Sequence, residues 1–443
     1  MSAPLVLGLA GFGTVGTGLV RVLDQSSAAL MSRAGRPIRI KSILVRDPSR
    51  PRAAALPPGT ALTTCPEDLT DDAEVDVVVE LMGGIDAPRK LIARALANGR
   101  HVVTANKALL AESGNELFAL AAARGLHLGF EASVCGGIPV VQTLREGLAA
   151  NRVQELVGIL NGTSNYILTE MSSGGMPFRA ALARAQELGY AEADPTLDVE
   201  GADAAHKLIL LIRLAWGLDF PFSALPVHGI SGVEAEDIRY ARQLGCRIKL
   251  LGYARLLHGQ DFGMEAGVAP HLVHEACLMA GVNGAYNALR IQGDVAGPVF
   301  LHGRGAGALP TGSAVAADIL AIARNALPNN TGFVRAPVRA VPAAQSVSPW
   351  YIRLRVSDSV GVLRDVAAIM AANGISIAQI IQQDGGDGGA GVPLVVMTHK
   401  AGADGVRTAL RQLASAPMVH RPPVCFPVLP LFPPGQREAP EKE

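Results

Sequence analysis

This chain of 443 residues has few aromatic residues, few charged residues and no excess of either charge sign. Aromatic residues make up 4% and charged residues 18%, and Lys plus Arg and Asp plus Glu both count 39. A neutral chain with few aromatics lacks the basic surface and the stacking side chains that a nucleic-acid-binding protein needs. Hydrophobic residues make up 49%, which provides for a large core and excludes a disordered chain.

The chain also lacks paired cysteines and long apolar runs. Its five cysteines are scattered, and no two of them form a C-x-x-C pair. Such a set argues against a disulfide framework or a structural zinc site, and it predicts a reducing, cytoplasmic location. No run of 18 or more uncharged apolar residues occurs, so we expect neither a membrane span nor a membrane partner.

Short Val/Ile/Leu-rich runs alternate with helical patterns over the first 130 residues. The runs are typical of strands buried on both faces of a parallel sheet, and the alternation predicts an α/β fold. The runs lie at residues 4–10, 38–45, 75–81, 101–104 and 126–130. The helical patterns lie at residues 14–30, 88–97 and 107–123. We therefore predict a Rossmann-type parallel sheet domain over residues 1–137.

The rhythm changes after residue 137, and residues 138–302 predict a separate α+β domain. Its predicted helices lie at residues 140–150, 164–173, 178–188 and 202–216. Its predicted strands lie at residues 153–160, 248–254 and 264–268. Residues 326–348 are rich in Pro and Ala and predict a linker. Beyond them, the order β-α-β-β-α with a further strand predicts a ferredoxin-like module at 349–430, which carries no catalytic motif.

A glycine-rich turn follows the first predicted strand and opens the first predicted helix. It reads Gly11-Phe12-Gly13-Thr14-Val15-Gly16, which is G-x-G-x-x-G. In a dinucleotide-binding site the three glycines permit a tight turn, the approach of a pyrophosphate, and close packing of helix on strand. The free N–H groups of the helix start then face the anion. The strand and helix context favours dinucleotide binding over a purely structural turn.

The end of the second predicted strand indicates which dinucleotide binds. Arg46 follows this strand directly, and a guanidinium suits the 2′-phosphate of NADP. Asp47 is the next residue and leaves NAD open, because a carboxylate there can accept from a ribose hydroxyl. A solvated loop that binds neither group is the plainer alternative.

Asp203 and Lys207 are four residues apart and share one face of a predicted helix. An ordinary surface ion pair would have the same spacing. However, Leu208, Leu211 and Ile212 make the helix strongly apolar, which indicates that the pair is buried. A buried lysine beside a carboxylate is a candidate proton donor, and the acids upstream of it can hold a substrate ammonium group.

Two more segments follow predicted strands at the carboxyl edge of the first sheet, where ligands bind in open α/β folds. One is Thr104-Ala105-Asn106-Lys107, and the other is Glu131-Ala132-Ser133-Val134-Cys135-Gly136-Gly137-Ile138-Pro139. Cys135 could act as a nucleophile, as in acylating aldehyde dehydrogenases, although no histidine partner is evident in the sequence.

Together these motifs resemble the homoserine dehydrogenase family over residues 4–325. The resemblance extends to Leu81-Met82-Gly83-Gly84, to Asn161-Gly162-Thr163-Ser164-Asn165-Tyr166, to residues 189–207 and to residues 303–313. Arg304 departs from the family, which more often has proline there. The C-terminal module resembles an ACT domain at residues 358–363 and 373–377. Because no kinase-like segment precedes the motifs, we expect the single-function form.

The resemblance implies that the protein interconverts L-aspartate 4-semialdehyde and L-homoserine with NADPH or NADH, on the route to threonine, methionine and isoleucine. It assigns the proton transfer to Lys207 and the substrate to Glu192 and Asp203. Lys107 would lie at both the substrate and the nicotinamide. Residues 138–302 would bind substrate and form the dimer, and residues 303–325 would complete the Rossmann domain.

The resemblance implies further ligands as well. Gly189 and Gly305 would line the cofactor, together with Thr104. A monovalent cation, sodium, would bind partly through backbone carbonyls of four residues, which are Glu131, Val134, Gly136 and Ile138. We also expect L-threonine as an effector of the ACT module, a homodimer or homotetramer, and a module that is dispensable for the chemistry itself.

Two other functions remain open from the sequence. One is an acylating enzyme like aspartate-semialdehyde dehydrogenase, in which Cys135 attacks the aldehyde. The other is a cofactor-binding protein without turnover, which senses amino acids through its C-terminal module.

Overall fold

A computed structural model describes residues 3–257, 263–325, 336–340, 346–382 and 391–430. The chain forms two compact units, each assembled from separated segments. Unit 1 comprises Met1–Leu156, Asp203–Ala224 and Tyr286–Val338. Unit 2 comprises Val157–Ala202, Leu225–Ala285 and Arg339–Glu443. The domain limits from the sequence stay a prediction, since these units are defined by contacts rather than by chain order.

Unit 1 contains a six-stranded sheet in the order β3-β2-β1-β4-β5-β6, and all its described pairs are parallel. Its strands are β1 (Leu5–Ala10), β2 (Ile38–Leu44), β3 (Ala61–Thr63), β4 (Val77–Glu80), β5 (His101–Thr104) and β6 (Leu128–Gly129). Every residue of β1 and β4 is buried, as both-faced burial requires. The predicted Rossmann-type sheet is confirmed.

Helices connect these strands. They are α1 (Thr14–Gln25), α2 (Ser27–Ala34), α3 (Glu67–Thr70), α4 (Asp86–Ala97) and α5 (Lys107–Ala123). The single helix predicted at 14–30 is wrong, because the chain leaves the helical conformation at Ser26, where φ is −112° and ψ is 15°. Ser26 and Ser27 favour such a break, since serine side chains compete with helical backbone hydrogen bonds.

The middle of the chain contributes elements to both units. The helices are α6 (Val140–Gln142), α7 (Gly162–Ser173), α8 (Phe178–Glu187), α9 (Thr196–Val199), α10 (Ala202–Trp216), α11 (Ala235–Gln243) and α12 (Ala308–Ala323), with 3-10 turns at Glu131–Ser133, Phe222–Ala224 and Leu278–Gly281. The strands are β7 (Val153–Ile159), β8 (Leu218–Asp219), β9 (Cys246–Leu257), β10 (Gly263–His274), β11 (Tyr286–Gly293) and β12 (Gly297–Arg304).

Two predictions for this region need correction. The helix predicted at 140–150 changes after α6 to a π-helix at Thr143–Gly147. The Thr143 hydroxyl donates to the Pro139 carbonyl at 2.6 Å, and such back-bonding perturbs the regular ladder. The strand predicted at 264–268 is longer, because β10 pairs antiparallel with β9 over its whole length. The β11–β12 hairpin was not predicted, since the glycines and proline of β12 obscure its strand pattern.

The C-terminal module is a ferredoxin-like sheet in unit 2. Its strands β16 (Trp350–Val356), β17 (Ile377–Gln382), β18 (Val392–Thr398) and β20 (Val424–Leu429) pair antiparallel in the order β20-β16-β18-β17. Helices α13 (Val362–Ala372) and α14 (Ala403–Ala414) pack on this sheet. Of four further short strands, β13 (Ala336–Pro337) pairs with β8 in unit 1. In unit 2, β14 (Arg339–Ala340) pairs with β10, and β15 (Val347–Ser348) pairs with β19 (Ala401–Gly402). Apart from 336–340 and 346–348, the predicted linker lies outside the described residues.

The C-terminal module is joined to the rest of unit 2 by backbone pairing and by buried charges. Strand β20 pairs with β10, where Leu272 faces Val428. Arg353 of β16 donates through Nε to Asp237 Oδ1 of α11 at 2.6 Å and through Nη2 to Oδ2 at 3.1 Å. Tyr351 donates to Asp237 Oδ1 at 3.0 Å, and the Arg353 and Asp237 side chains are 4% and 0% exposed. The module is therefore attached by more than the linker.

We predict that Arg353→Met lowers the free energy of unfolding by about 3–5 kcal/mol, because it leaves the Asp237 carboxylate buried without its cation. Chemical denaturation would measure the loss. Adding Asp237→Asn should restore part of it, since no charge then remains buried. Arg364→Met is the control, because Arg364 and Asp365 form a largely exposed pair. Equal losses for both arginine variants would contradict the prediction.

Candidate active site

The glycine-rich turn has the backbone geometry that a dinucleotide needs. Gly11 has a φ of +102°, and a Cβ atom there would lie 2.5 Å from the Leu81 carbonyl oxygen. A Cβ atom on Gly16 would lie 2.4 Å from the Gly11 carbonyl oxygen, whereas one on Gly13 would meet nothing within 4 Å. Gly11 and Gly16 are thus required for packing, and Gly13 leaves the turn open on the side where a pyrophosphate could approach.

Helix α1 begins at this turn with its N–H groups available to an anion. No side chain caps the helix at Gly13, and no acidic residue lies in its first turn. Thr14 is exposed and Val15 half-buried, whereas the Phe12 side chain is buried in the core. Phe12 can therefore contribute only backbone atoms to a bound nucleotide. These features fit a dinucleotide at the start of α1.

Arg46 is exposed and lies just beyond the end of β2, the strand that pairs with β1. Its neighbour Asp47 is engaged locally, because its carboxylate accepts from the Ser49 hydroxyl at 2.6 Å and from the Ser49 amide at 2.9 Å. The bonds from Ser49 hold the pKa of Asp47 below its ordinary value. The loop thus fixes the carboxylate and leaves the guanidinium exposed.

Asp203 and Lys207 form a buried pair on α10, and Lys107 at the start of α5 completes a triad. Lys207 Nζ lies 2.7 Å from Asp203 Oδ2, and Lys107 Nζ lies 2.8 Å from Asp203 Oδ1. The Asp203 and Lys207 side chains are 9% and 10% exposed, so the alternative of an ordinary surface ion pair is wrong. Burial by itself would raise the pKa of Asp203, but the two lysines hold it below its ordinary value.

The segment that carries Lys107 is fixed from several sides. The Asn106 side chain caps α5 by accepting from the Leu109 amide at 3.1 Å, and it donates to the Gly84 carbonyl at 2.7 Å. The Thr104 hydroxyl donates to Glu80 Oε2 at 2.6 Å inside the domain. Thr104 can therefore offer only backbone atoms to a ligand. Burial raises the pKa of Glu80, a residue that was not predicted from the sequence although it ends an otherwise apolar strand.

Residues 131–138 form a tight turn at the end of β6. Cys135 and Gly136 have φ values of 55° and 54°, so two successive residues are left-handed. The Glu131 carboxylate accepts from the amides of Val141 at 2.8 Å and Gln142 at 2.9 Å, and burial raises its pKa. The side chain of Glu131 is thus used within the fold.

Asp318 of α12 is a second buried acid at this turn and was not predicted. Its Oδ2 atom accepts from the Glu131 amide at 2.9 Å. The pKa of Asp318 is raised to about 7, mainly by burial and secondly by the nearby charge of Glu131. The sequence separation of 187 positions explains why no local pattern indicated the contact.

The turn is pressed against the segment that contains Gly305. The Gly137 amide donates to the Arg304 carbonyl at 3.0 Å. A Cβ atom on Gly136 would lie 2.4 Å from the Gly305 carbonyl oxygen, and one on Gly305 would lie 2.1 Å from Asn287 Cγ. Glycine is required at position 136 because the two backbones approach so closely, and at position 305 because the Asn287 side chain occupies the space.

Cys135 is fully buried in this turn, and burial raises the pKa of its thiol to about 11. A nucleophilic cysteine needs the thiolate form near neutral pH. The environment of Cys135 therefore argues against the acylating mechanism that the sequence left open.

The loop that carries Gly189 and Glu192 belongs to unit 2. Gly189 has a φ of +73°, and the Glu192 side chain is exposed. The Thr163 hydroxyl donates to the Tyr190 carbonyl at 2.6 Å, and Asn161 Nδ2 donates to Asp198 Oδ1 at 2.7 Å. These contacts fix residues on either side of Glu192 to the start of α7.

Within the described ranges, no cluster of three or more His, Cys, Asp or Glu side chains could hold a metal ion. No helix in the same ranges is long and apolar enough to span a membrane.

The parallel sheet, the open glycine turn and the buried lysine–carboxylate triad define a nucleotide-dependent oxidoreductase of the Rossmann class. Three family models match the chain. The NAD binding domain of homoserine dehydrogenase matches residues 11–131, and the homoserine dehydrogenase model matches residues 139–320. The ACT domain model matches residues 350–417. The chain belongs to the homoserine dehydrogenase family, whose members are oxidoreductases that act on a CH–OH group.

Relatives of the same length support this assignment. The chain is 42% identical to the homoserine dehydrogenase of Neisseria gonorrhoeae, over 95% of this chain and 97% of that protein. It is 41% identical to the homoserine dehydrogenase of Pseudomonas aeruginosa, over 95% of this chain and 98% of that protein. The crystal structure of a homoserine dehydrogenase from Thiobacillus denitrificans matches with a TM-score of 0.88 at 42% identity, over 96% of this chain and 98% of that one.

A more distant structure, of a hyperthermophilic archaeal homoserine dehydrogenase in complex with NADPH, matches with a TM-score of 0.61 at 26% identity. It covers 74% of this chain and 99% of the archaeal one. The family resemblance, the sheet domain and the ACT module expected from the sequence are confirmed.

Proposed function

We propose that this protein interconverts L-aspartate 4-semialdehyde and L-homoserine with NADP, on the route to threonine, methionine and isoleucine. The buried triad of Asp203, Lys207 and Lys107 is the observation that carries this proposal. Reducing an aldehyde to an alcohol requires a hydride at carbon and a proton at oxygen, and the bound nucleotide supplies the hydride. The scattered cysteines, which include no C-x-x-C pair, fit a reducing compartment such as the cytoplasm.

Lys207 supplies the proton. Its ammonium group is buried beside Asp203, which orients it by a 2.7 Å hydrogen bond. As the hydride reaches the aldehyde carbon, the proton on Nζ passes to the carbonyl oxygen and removes its developing negative charge. In the reverse direction Lys207 accepts the hydroxyl proton. The second cation, Lys107, keeps Asp203 ionised throughout, so that Asp203 can continue to orient the donor.

Substrate binding follows the family assignment. Glu192 and Asp203 bind the amino acid, with the exposed Glu192 carboxylate available to the substrate ammonium. Gly189 and Gly305 line the nucleotide. Residues 11–16 hold its pyrophosphate, and the backbone of Thr104 and the side chain of Lys107 lie at the nicotinamide end.

Arg46 selects NADP by pairing with the 2′-phosphate. Support comes from Asp47, whose carboxylate is already bonded to Ser49 and so is less available to a ribose hydroxyl. The archaeal relative was solved in complex with NADPH, and we extend this cofactor to the present chain.

A sodium ion binds at the turn that contains Glu131, Val134, Gly136 and Ile138, through their carbonyl oxygens. The left-handed residues of the turn redirect successive carbonyl groups, and hard cations prefer such oxygen ligands. The Glu131 and Ile138 carbonyls accept from the amides of Val134 and Val140, but each keeps a second lone pair for a ligand.

The C-terminal module binds L-threonine, the end product, at residues 358–363 and 373–377, and the enzyme is a homodimer or homotetramer. Asp358 is exposed and lies just before Gly361, which has a φ of +97° at the start of α13. A chain that stops at Ala344 would lose Tyr351 and Arg353 and so uncover the part of α11 that carries Asp237. The effector is therefore best tested in the full chain. A module that only helps dimerisation is the alternative.

We predict that Lys207→Met lowers kcat by about 10²–10⁴, the range for losing a general acid, while the NADPH dissociation constant stays unchanged. Steady-state kinetics of homoserine oxidation and NADPH fluorescence would measure these quantities. Lys41→Met is the control, because Lys41 also pairs with carboxylates but on the surface. A kcat near that of the wild type would remove Lys207 from the proton transfer.

For the cofactor, Arg46→Asp should shift the ratio of kcat/KM for NADP+ and NAD+ toward NAD+, because a carboxylate repels the 2′-phosphate and accepts from a ribose hydroxyl. The matched control is Arg50→Asp, which makes the same change of charge in the same exposed loop. If both variants shift the ratio equally, the effect is one of net charge and Arg46 has no specific role.

L-Threonine should raise the melting temperature of the full-length enzyme and lower its rate, because an effector that prefers one folded conformation both stabilises and biases it. D-Threonine should do neither. Asp358→Ala should abolish the melting shift caused by L-threonine. An enzyme whose rate and melting temperature both ignore L-threonine would contradict this assignment and favour the dimerisation role.

A further inference from the structure

Helix α12 contacts two backbone segments that the proposed function uses. Near its start, Gly312 faces α1, and a Cβ atom on Gly312 would lie 2.6 Å from the Gly18 carbonyl carbon. Correspondingly, a Cβ atom on Gly18 would lie 1.9 Å from the Ala308 carbonyl oxygen. Farther along the same helix, Asp318 reaches the Glu131 amide. One rigid helix thus touches both the nucleotide-binding helix and the segment that begins at Glu131.

The contact of Asp318 leaves little freedom. Its side chain is buried, with 7% of the residue exposed, and Oδ2 accepts from the Glu131 amide at 2.9 Å. Gly129 lies directly beneath it, since a Cβ atom there would lie 2.8 Å from Asp318 Cβ and Cγ. The carboxylate therefore meets the backbone at a position that only a glycine in β6 permits.

Glu131 extends this support along the chain. While its amide donates to Asp318, its carboxylate accepts from the amides of Val141 at 2.8 Å and Gln142 at 2.9 Å. The segment 131–142 is held by Asp318 at its first residue and by Glu131 at its last two. The left-handed turn at Cys135 and Gly136 lies between these attachments.

The same segment adjoins the catalytic triad. The charges of Lys207 and Asp203 both contribute to the pKa of the Cys135 thiol in this segment, after the larger effect of burial. Ser133 donates to the Thr104 carbonyl at 3.1 Å, three residues before Lys107. A shift of the segment would therefore reach the triad through the Thr104–Lys107 turn.

We propose that Asp318 is a positioning residue, which acts through the Glu131 amide to hold segment 131–142 in place beside the catalytic triad. The proposal rests on the proposed function for the reaction that the triad performs. It predicts that removing the acceptor loosens this segment specifically, and that the loss is expressed in kcat rather than in nucleotide affinity.

Amide hydrogen exchange, read by mass spectrometry, tests the structural half of the proposal. Asp318→Ala should speed exchange in residues 131–142 by about tenfold or more, the effect of losing a buried hydrogen bond, and leave the peptides of α1 unchanged. Asp318→Asn should retain protection, because an amide oxygen still accepts. Val315→Ala is the matched control, since it removes buried apolar atoms from α12 and keeps the contact to Glu131.

Kinetics of homoserine oxidation test the other half. Asp318→Ala should lower kcat by about tenfold, while the NADPH dissociation constant stays within about twofold of wild type. Asp318→Asn should recover most of the rate, and Val315→Ala should resemble the wild type. If Asp318→Ala does not fold, Asp318→Glu takes its place, because it keeps the charge but shifts the acceptor by one methylene.

The proposal is overturned if segment 131–142 exchanges equally in Asp318→Ala and Val315→Ala. It is also overturned if exchange rises while kcat remains that of the control. A wild-type enzyme that does not oxidise homoserine refutes the proposed function instead, and the exchange measurement then still decides whether Asp318 holds the segment.

Discussion

A carboxylate buried between two ammonium groups is the interaction on which the candidate site depends. Burying Asp203 alone would be costly. Lys207 compensates from the same helix, and Lys107 adds to this only if α10 and α5 are held together. Arg213 secures this arrangement by donating to the carbonyls of Leu110 and Ala111, each at 2.8 Å. The packing of α10 against α5 and the ionisation of Asp203 therefore depend on each other.

Features that depend on local sequence could be predicted, and features that depend on distant contacts could not. The predicted bounds of α5 and α10 match the structure because both helices have strong apolar character and clear ends. The glycine turn is equally local. By contrast, Asp318 acts on a residue 187 positions away, and the Cβ space at Gly305 is taken by Asn287 of another strand. No periodicity within one element contains such information.

The C-terminal module illustrates the same limit. Alternation in β16 predicts a strand with a polar face, but the pattern does not say what covers that face. In the structure Arg353 and Arg355 meet Glu236 and Asp237 of α11, so the arginines are bonded to protein carboxylates rather than left to solvent. A segment that reads as an appended module is thus built into the unit that also carries Glu192. Any signal from an effector would begin in directly packed structure.

The position of β20 also has a consequence for how the protein is made. This strand is the last one described along the chain, yet it lies between β10 and β16 in the sheet. During synthesis, more than a hundred and fifty further residues must be added after Leu272 and Val273 of β10 before their partner strand emerges from the ribosome. Until then the nascent chain presents an unpaired apolar edge, which is the kind of surface that chaperones bind and that promotes association between unfinished chains.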